Sequence, residues 1–90
     1  MKTVLPLLAE YLGTFLLVLS VLSLSNPIFI GIIFTVILFL IVPVSGAAIN
    51  PALSFVFYLQ GKLGMKEALL YTLVQIIAAG SSYFVYASLV

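Results

Sequence analysis

The 90-residue chain has no cysteine and no histidine. The first absence removes a disulfide framework, a thiol nucleophile and a thiolate metal cluster. The second removes the commonest general base and metal ligand. Charge is almost as scarce. Lys2, Glu10, Lys62, Lys66 and Glu67 are the charged residues, 6% of the chain, for a net charge of +1. They form no basic patch for nucleic acid, and two scattered carboxylates make neither a metal site nor an acid–base pair. The sequence therefore argues against an enzyme, and no cofactor or metal is expected. A soluble domain carries about 25% charged residues, far more than this one.

What is present is apolar. Hydrophobic residues make up 66% of the chain and the mean hydropathy is +1.46. A chain this short has little interior in which to hide them, so lipid must cover them. Lys2 followed by an apolar run loosely resembles a signal peptide. The run is too long for one, holds Glu10 and has no convincing cleavage site before Pro27, so it reads as a retained span.

Three spans and one short helix are expected. Thr3 to Ser25 would rise roughly 34 Å as a helix, against a hydrocarbon core of about 30 Å. Pro6 sits in its first turn, where a missing N–H does little harm. Ser25-Asn26-Pro27 is a turn, so the next helix runs back antiparallel. Ile28 to about Val42 is the second span, followed by a small-residue segment from Val44 to Ala48. Pro51 to Gln60 is a half-helix, with Asn50 as its cap and Pro51 at its first position. Gly61-Lys62-Leu63-Gly64 reads as an aqueous loop, and Glu67 to Val90 as the third span. Two helical turns starting at a polar cap cannot cross lipid. Such an element is tolerated only where protein buries it or it lines a water-filled cavity. If it dips in and leaves on the same side, all three Lys share one face. The positive-inside rule then makes the N-terminus cytoplasmic and puts the C-terminus on the opposite side.

Three motifs in order resemble those of the aquaporins and aquaglyceroporins. Ala9-Glu10-Tyr11-Leu12-Gly13-Thr14-Phe15 resembles the family's A-E-F-x-G-T. Ser45-Gly46-Ala47-Ala48-Ile49-Asn50-Pro51-Ala52 resembles S-G-A-H-x-N-P-A, with Ala48 where His is common. Leu69 to Gln75 is similar to the third-helix pattern with Tyr and Gln. The resemblance implies an all-α integral membrane fold over residues 1–90: an aquaporin-like half repeat with three transmembrane helices and one re-entrant NPA half-helix. The family's chain holds two such repeats, inverted in the membrane. These residues hold one and resemble the first; a fragment of a longer channel is an alternative.

The resemblance also implies roles. Asn50, Pro51 and Ala52 would face the permeant, with Asn50 donating a hydrogen bond. Glu10 and Gln75 would support the re-entrant loop. The filter-like positions are Ile30, Leu38, Ala47 and Leu53, none of them polar; Leu53 stands where the second repeat has an Arg. The pore would form when a second half, from a homo-oligomer or another polypeptide, meets this one in the bilayer. It would pass water or a small neutral solute. The other reading is a structural membrane component that conducts nothing. Glu10 lies about eight residues into the first span, roughly 12 Å along a helix, an expensive depth that suggests a specific partner; the plain alternatives are a headgroup-level Glu10 and a simple interhelix contact at Gln75. Ala9/Gly13, Gly31/Thr35 and Ala78/Ser82 read as helix-packing pairs, Gly46 and Gly80 as close-approach positions, and Tyr83, Phe84 and Tyr86 as interface aromatics.

Overall fold

Asparagine followed by proline opens two of the four helices in the structure, a computed structural model that describes residues 3–90. Helix α1 spans Val4–Ser23, α2 Pro27–Ser45, α3 Pro51–Leu59 and α4 Met65–Leu89. Asn26 Oδ1 accepts from the Ile28 N–H at 2.8 Å and starts α2. Asn50 Oδ1 accepts from the Leu53 N–H at 2.9 Å and starts α3. In both, proline occupies the first turn, where its missing N–H leaves one orphan donor fewer.

Two boundaries differ from expectation for local reasons. Helix α2 does not stop near Val42 but runs through Pro43 to Ser45. Proline removes only the bond to the Phe39 carbonyl. The last turn is closed by the Gly46 N–H on Val42 O at 3.0 Å, with Gly46 in the left-handed region at φ 83°. Helix α4 begins two residues before Glu67, because extended Gly64 caps it and Gly64 O accepts the Ala68 N–H at 2.9 Å.

The fold is all-α. Three helices, of 20, 19 and 25 residues, are long and apolar enough to cross a membrane. They rise about 30, 28 and 37 Å, and the nine residues of α3 only about 13 Å, against a core of about 30 Å. Phe39 is 79% exposed and Phe84 72%, amid many other outward-facing Leu, Ile and Val side chains. A surface this apolar belongs in lipid. The chain is an integral, multi-pass membrane protein whose surroundings are the bilayer.

Helix α1 is the hub, packed along both α2 and α4, while α3 lies on α4. Small residues permit the close contacts. Ala9 and Gly13 are buried on α1, Ala78 and Ser82 on α4, and Ser82 Oγ donates to Phe15 O at 3.1 Å. Gly31, Thr35 and Gly80 depart from the packing expectation: all three face outward, and a Cβ on either glycine would meet nothing within 4 Å. Tyr83 and Phe84 are exposed near the end of α4, edge to face at 5.5 Å.

The start of α1 and the turn before α4 share one end of the bundle. Thr3, Pro6, Leu63, Glu67 and Tyr71 border a cavity of about 150 Å³ there. Lys62 lies on that turn, its Nζ 5.0 Å from the centre of the Phe57 ring, and Lys66 is in the first turn of α4. Lys2, expected at the same end, lies outside the described residues.

Candidate functional site: the interrupted segment 45–54

The backbone between α2 and α3 takes a conformation that its side chains resist. Gly46, Ala47 and Ile49 have positive φ, of 83°, 55° and 45°. Glycine accepts this freely; alanine and isoleucine do so at a cost of roughly 1–2 kcal/mol each. A branched isoleucine in this region is an outlier that its surroundings must hold in place.

Glu10 holds it. The residue is fully buried on α1. Its Oε1 accepts from the Ile49 N–H at 2.7 Å and from Gln75 Nε2 at 2.9 Å. Its Oε2 accepts from Ser45 Oγ at 2.6 Å and from the Ala48 N–H at 3.1 Å. All four partners are donors, matched to a group whose two oxygens accept. A buried N–H left unpaired costs about 1–3 kcal/mol, so the two backbone bonds are comparable in size to the torsional strain. Gly13 makes room: a Cβ there would stand 3.0 Å from Ile49 Cγ2.

Around this carboxylate lies a satisfied polar core. Gln75 Nε2 also donates to Ser54 Oγ at 2.8 Å, and Ser54 Oγ lies 3.1 Å from Asn50 O. Thr14 Oγ1 donates to Ile49 O at 3.3 Å, and Tyr71 Oη to Ser45 O at 3.0 Å. Among the described residues, no buried side-chain nitrogen or oxygen lacks a partner. Four helices thus converge on one strained pentapeptide: α1 through Glu10 and Thr14, α2 through Ser45, α3 through Ser54, and α4 through Tyr71 and Gln75. Thr14 and Tyr71 stand in the quoted motifs, but sequence reasoning gives neither them nor Ser54 a role at the site. A helical repeat was the available signal: Glu10/Thr14, Asn50/Ser54 and Tyr71/Gln75 are each four apart and so share a face.

One side of the segment stays open. With Oδ1 of Asn50 committed to Leu53, its Nδ2 has no acceptor among the described residues. The carbonyl of Gly46, an exposed residue, has no donor among the described residues, nor has the Ala52 N–H an acceptor; Ala47 and Ala48 are buried. Asn50 is half-buried, while Pro51 and Ala52 are exposed. The result is a half-helix N-terminus, partly positive, next to the free carbonyl of Gly46. Both kinds of group can take a small molecule bearing a hydroxyl, water included.

The apolar positions are more scattered. Ile30 and Leu38 are half-buried on α2, Ala47 is buried in the segment, and Leu53 is exposed in the first turn of α3. Leu38 borders a groove of about 370 Å³ with Thr35, Phe39, Val42 and Pro43, which none of the other three reaches. Gly46 owes its place to its φ, since a Cβ would make only an ordinary 3.7 Å contact with Phe57. A concavity of about 480 Å³ between α1 and α2 draws no lining residue from 45–54.

These features define a class: a polytopic α-helical membrane protein whose chain breaks into a capped half-helix braced by a buried carboxylate. The chain is similar to Aquaglyceroporin AqpS of Rhizobium meliloti (strain 1021), with 34% identity over 87 residues. The match covers 79% of this chain and 37% of that protein, so the chain spans well under half of its relative's length. This likeness supports the aquaporin family. No family model matches the chain, and no solved structure does.

Proposed function

We propose that residues 1–90 form one half-repeat of an aquaporin-family channel, which passes water or a small neutral solute once a second half joins it. The observation that carries this reading is the open side of the 45–54 segment. The Asn50 amide nitrogen, the α3 N-terminus and the Gly46 carbonyl have no partner among the described residues, yet the helices around them are built for hydrocarbon. Unpaired polar backbone in lipid costs several kcal/mol per group. A water-filled path shared with a second half relieves that cost.

In this reading Asn50 donates to the permeant, and Pro51 and Ala52 set the start of the half-helix beside it. The partial positive charge at its tip disfavours cations and protons. Glu10 and Gln75 act structurally, holding the re-entrant segment. Ile30, Leu38, Ala47 and Leu53 make an apolar mouth with no fixed cation, a poor guide for water and a weak barrier to other small neutral solutes. The N-terminus is cytoplasmic, on the side of Lys62 and Lys66.

The second reading is a structural membrane component that keeps the fold and conducts nothing. The wholly apolar mouth favours it, since such a constriction can exclude water altogether.

The test is stopped-flow swelling of vesicles from the native membrane, with the chain present, deleted, or carrying Asn50→Asp. Aspartate caps as well as asparagine but loses the amide donor. The channel reading expects faster swelling with the native chain than with either alternative. Equal rates in all three favour the structural component.

A further inference from the structure

We propose that the groove between α3 and α4, at the lysine-bearing end of the bundle, binds one anionic phospholipid. Phe55 and Tyr58 of α3 and Met65, Ala68, Leu69 and Thr72 of α4 border its volume of about 180 Å³. Met65 to Thr72 is a rise of roughly 10 Å. Met65 opens a 25-residue helix that outreaches the hydrocarbon core. The groove therefore begins at headgroup level and ends inside the acyl layer. The assignment holds whether or not the chain conducts.

Three parts of the groove match three parts of such a lipid. Phe55, Met65 and Leu69 are exposed and apolar, walls for an acyl chain. Tyr58 and Thr72 are half-buried there, and neither hydroxyl has a hydrogen-bond partner among the described residues. A threonine or serine within a helix has a carbonyl of its own helix at hand. Thr35 uses Gly31 O at 2.8 Å and Ser81 uses Ile77 O at 2.9 Å; Thr72 does not. Free donors in an apolar groove call for an acceptor that reaches into it, and the ester carbonyls of a phospholipid do so. At the aqueous lip, exposed Lys66 follows Met65 directly and supplies the charge for a phosphate. Lys62 is near but turned away. It folds over Phe57, which lies two residues from Phe55 and so on the other side of α3. Glu67 borders the separate cavity with Thr3 and Tyr71, so no carboxylate lines the groove to repel an anion or hold a headgroup ammonium. Another helix would cover the apolar walls equally well, but it would leave the lysine at the lip and the two hydroxyls without a reason to share one groove.

The chain has no tryptophan. Phe55→Trp therefore places a single fluorophore in the groove, and Phe39→Trp places one on the outer face of α2. Leu69→Trp is a second groove probe should Phe55→Trp not fold. Each chain is reconstituted in phosphatidylcholine vesicles with increasing brominated phosphatidylglycerol or brominated phosphatidylcholine, and quenching is read. At the groove, the anionic lipid is expected to reach half-maximal quenching at a roughly fivefold lower mole fraction than the zwitterionic one. At Phe39→Trp the two lipids are expected to quench alike. Adding Lys66→Ser is expected to abolish the preference, and adding Lys62→Ser to reduce it little. Equal quenching by the two lipids in the groove, the same preference at both probes, or a preference that survives Lys66→Ser overturns the site. Weak quenching by both lipids in the groove but not at Phe39→Trp means that protein covers it, and overturns the site as well. Tyr58→Phe with Thr72→Val keeps the groove's shape and is expected to weaken quenching by the anionic lipid; unchanged quenching overturns the ester contact.

Discussion

Asn26-Pro27 and Asn50-Pro51 are the same dipeptide performing the same local task in opposite settings. Each asparagine caps a backbone N–H with its side-chain oxygen and each proline opens a helix. The stretch before Asn26 is a short turn at the end of the bundle, and no strained residue precedes it. The stretch before Asn50 contains three residues at positive φ, clamped by a buried carboxylate 40 residues away in sequence. A cap decides where a helix begins. What decides whether that beginning can sit inside a membrane is the remote bracing of the backbone leading into it.

The comparison breaks most sharply at Glu10. Glu10→Ala leaves the Ala48 and Ile49 N–H groups, Ser45 and Gln75 without their acceptor. At about 1–3 kcal/mol for each buried unsatisfied group, a loss of several kcal/mol is expected in unfolding measured in bicelles, and no change at the Asn26 turn could match it. Gly13→Val comes next: the added carbons run into Ile49 at 3.0 Å. Overpacking of this kind costs about 1–3 kcal/mol, visible as a lower melting temperature. Third is the pair of caps. Asn26→Ala is expected to cost about 1 kcal/mol. Asn50→Ala is expected to cost clearly more, because that cap also anchors the end of a backbone segment held at positive φ; equal losses in the two variants would erase the distinction drawn here. The smallest effect contrasts two glycines. Gly46→Ala forces a side chain to φ 83° at about 1 kcal/mol. Gly80→Ala, with open space around it inside a helix, is expected to be neutral or slightly stabilising in the same assay.

Much of the architecture was legible from sequence. Three apolar runs of spanning length and an Asn-Pro start followed by two turns marked every helix, to within a few residues. The slips have local causes. The second span reads as ending near Val42, just before Pro43, but a glycine one turn further on closes the helix behind that proline, so α2 survives the loss of one bond. The roles of the apolar runs hid the polar ones. On α4, apolar nearly all round, the face of Tyr71, Gln75, Ala78 and Ser82 is visible only at spacings of three and four. Least legible was the backbone of 46–50. Neither Ala47 nor Ile49 favours positive φ, and only hydrogen bonds arriving from Glu10 explain why they adopt it. Composition marks Glu10 as a carboxylate at membrane depth and Gln75 as an amide in a span; which atoms they touch depends on how α1 and α4 pack.

The timing of synthesis gives the Glu10 cluster a further consequence. Its donors come from residues 35 to 65 positions downstream. When α1 leaves the ribosome, the groups that will surround its carboxylate have yet to be translated. A carboxylate inside an apolar span is costly until it finds a partner. The first helix therefore begins life as a poor membrane resident and becomes a good one only when α4 arrives, so assembly of these four helices waits on a segment translated well after α1.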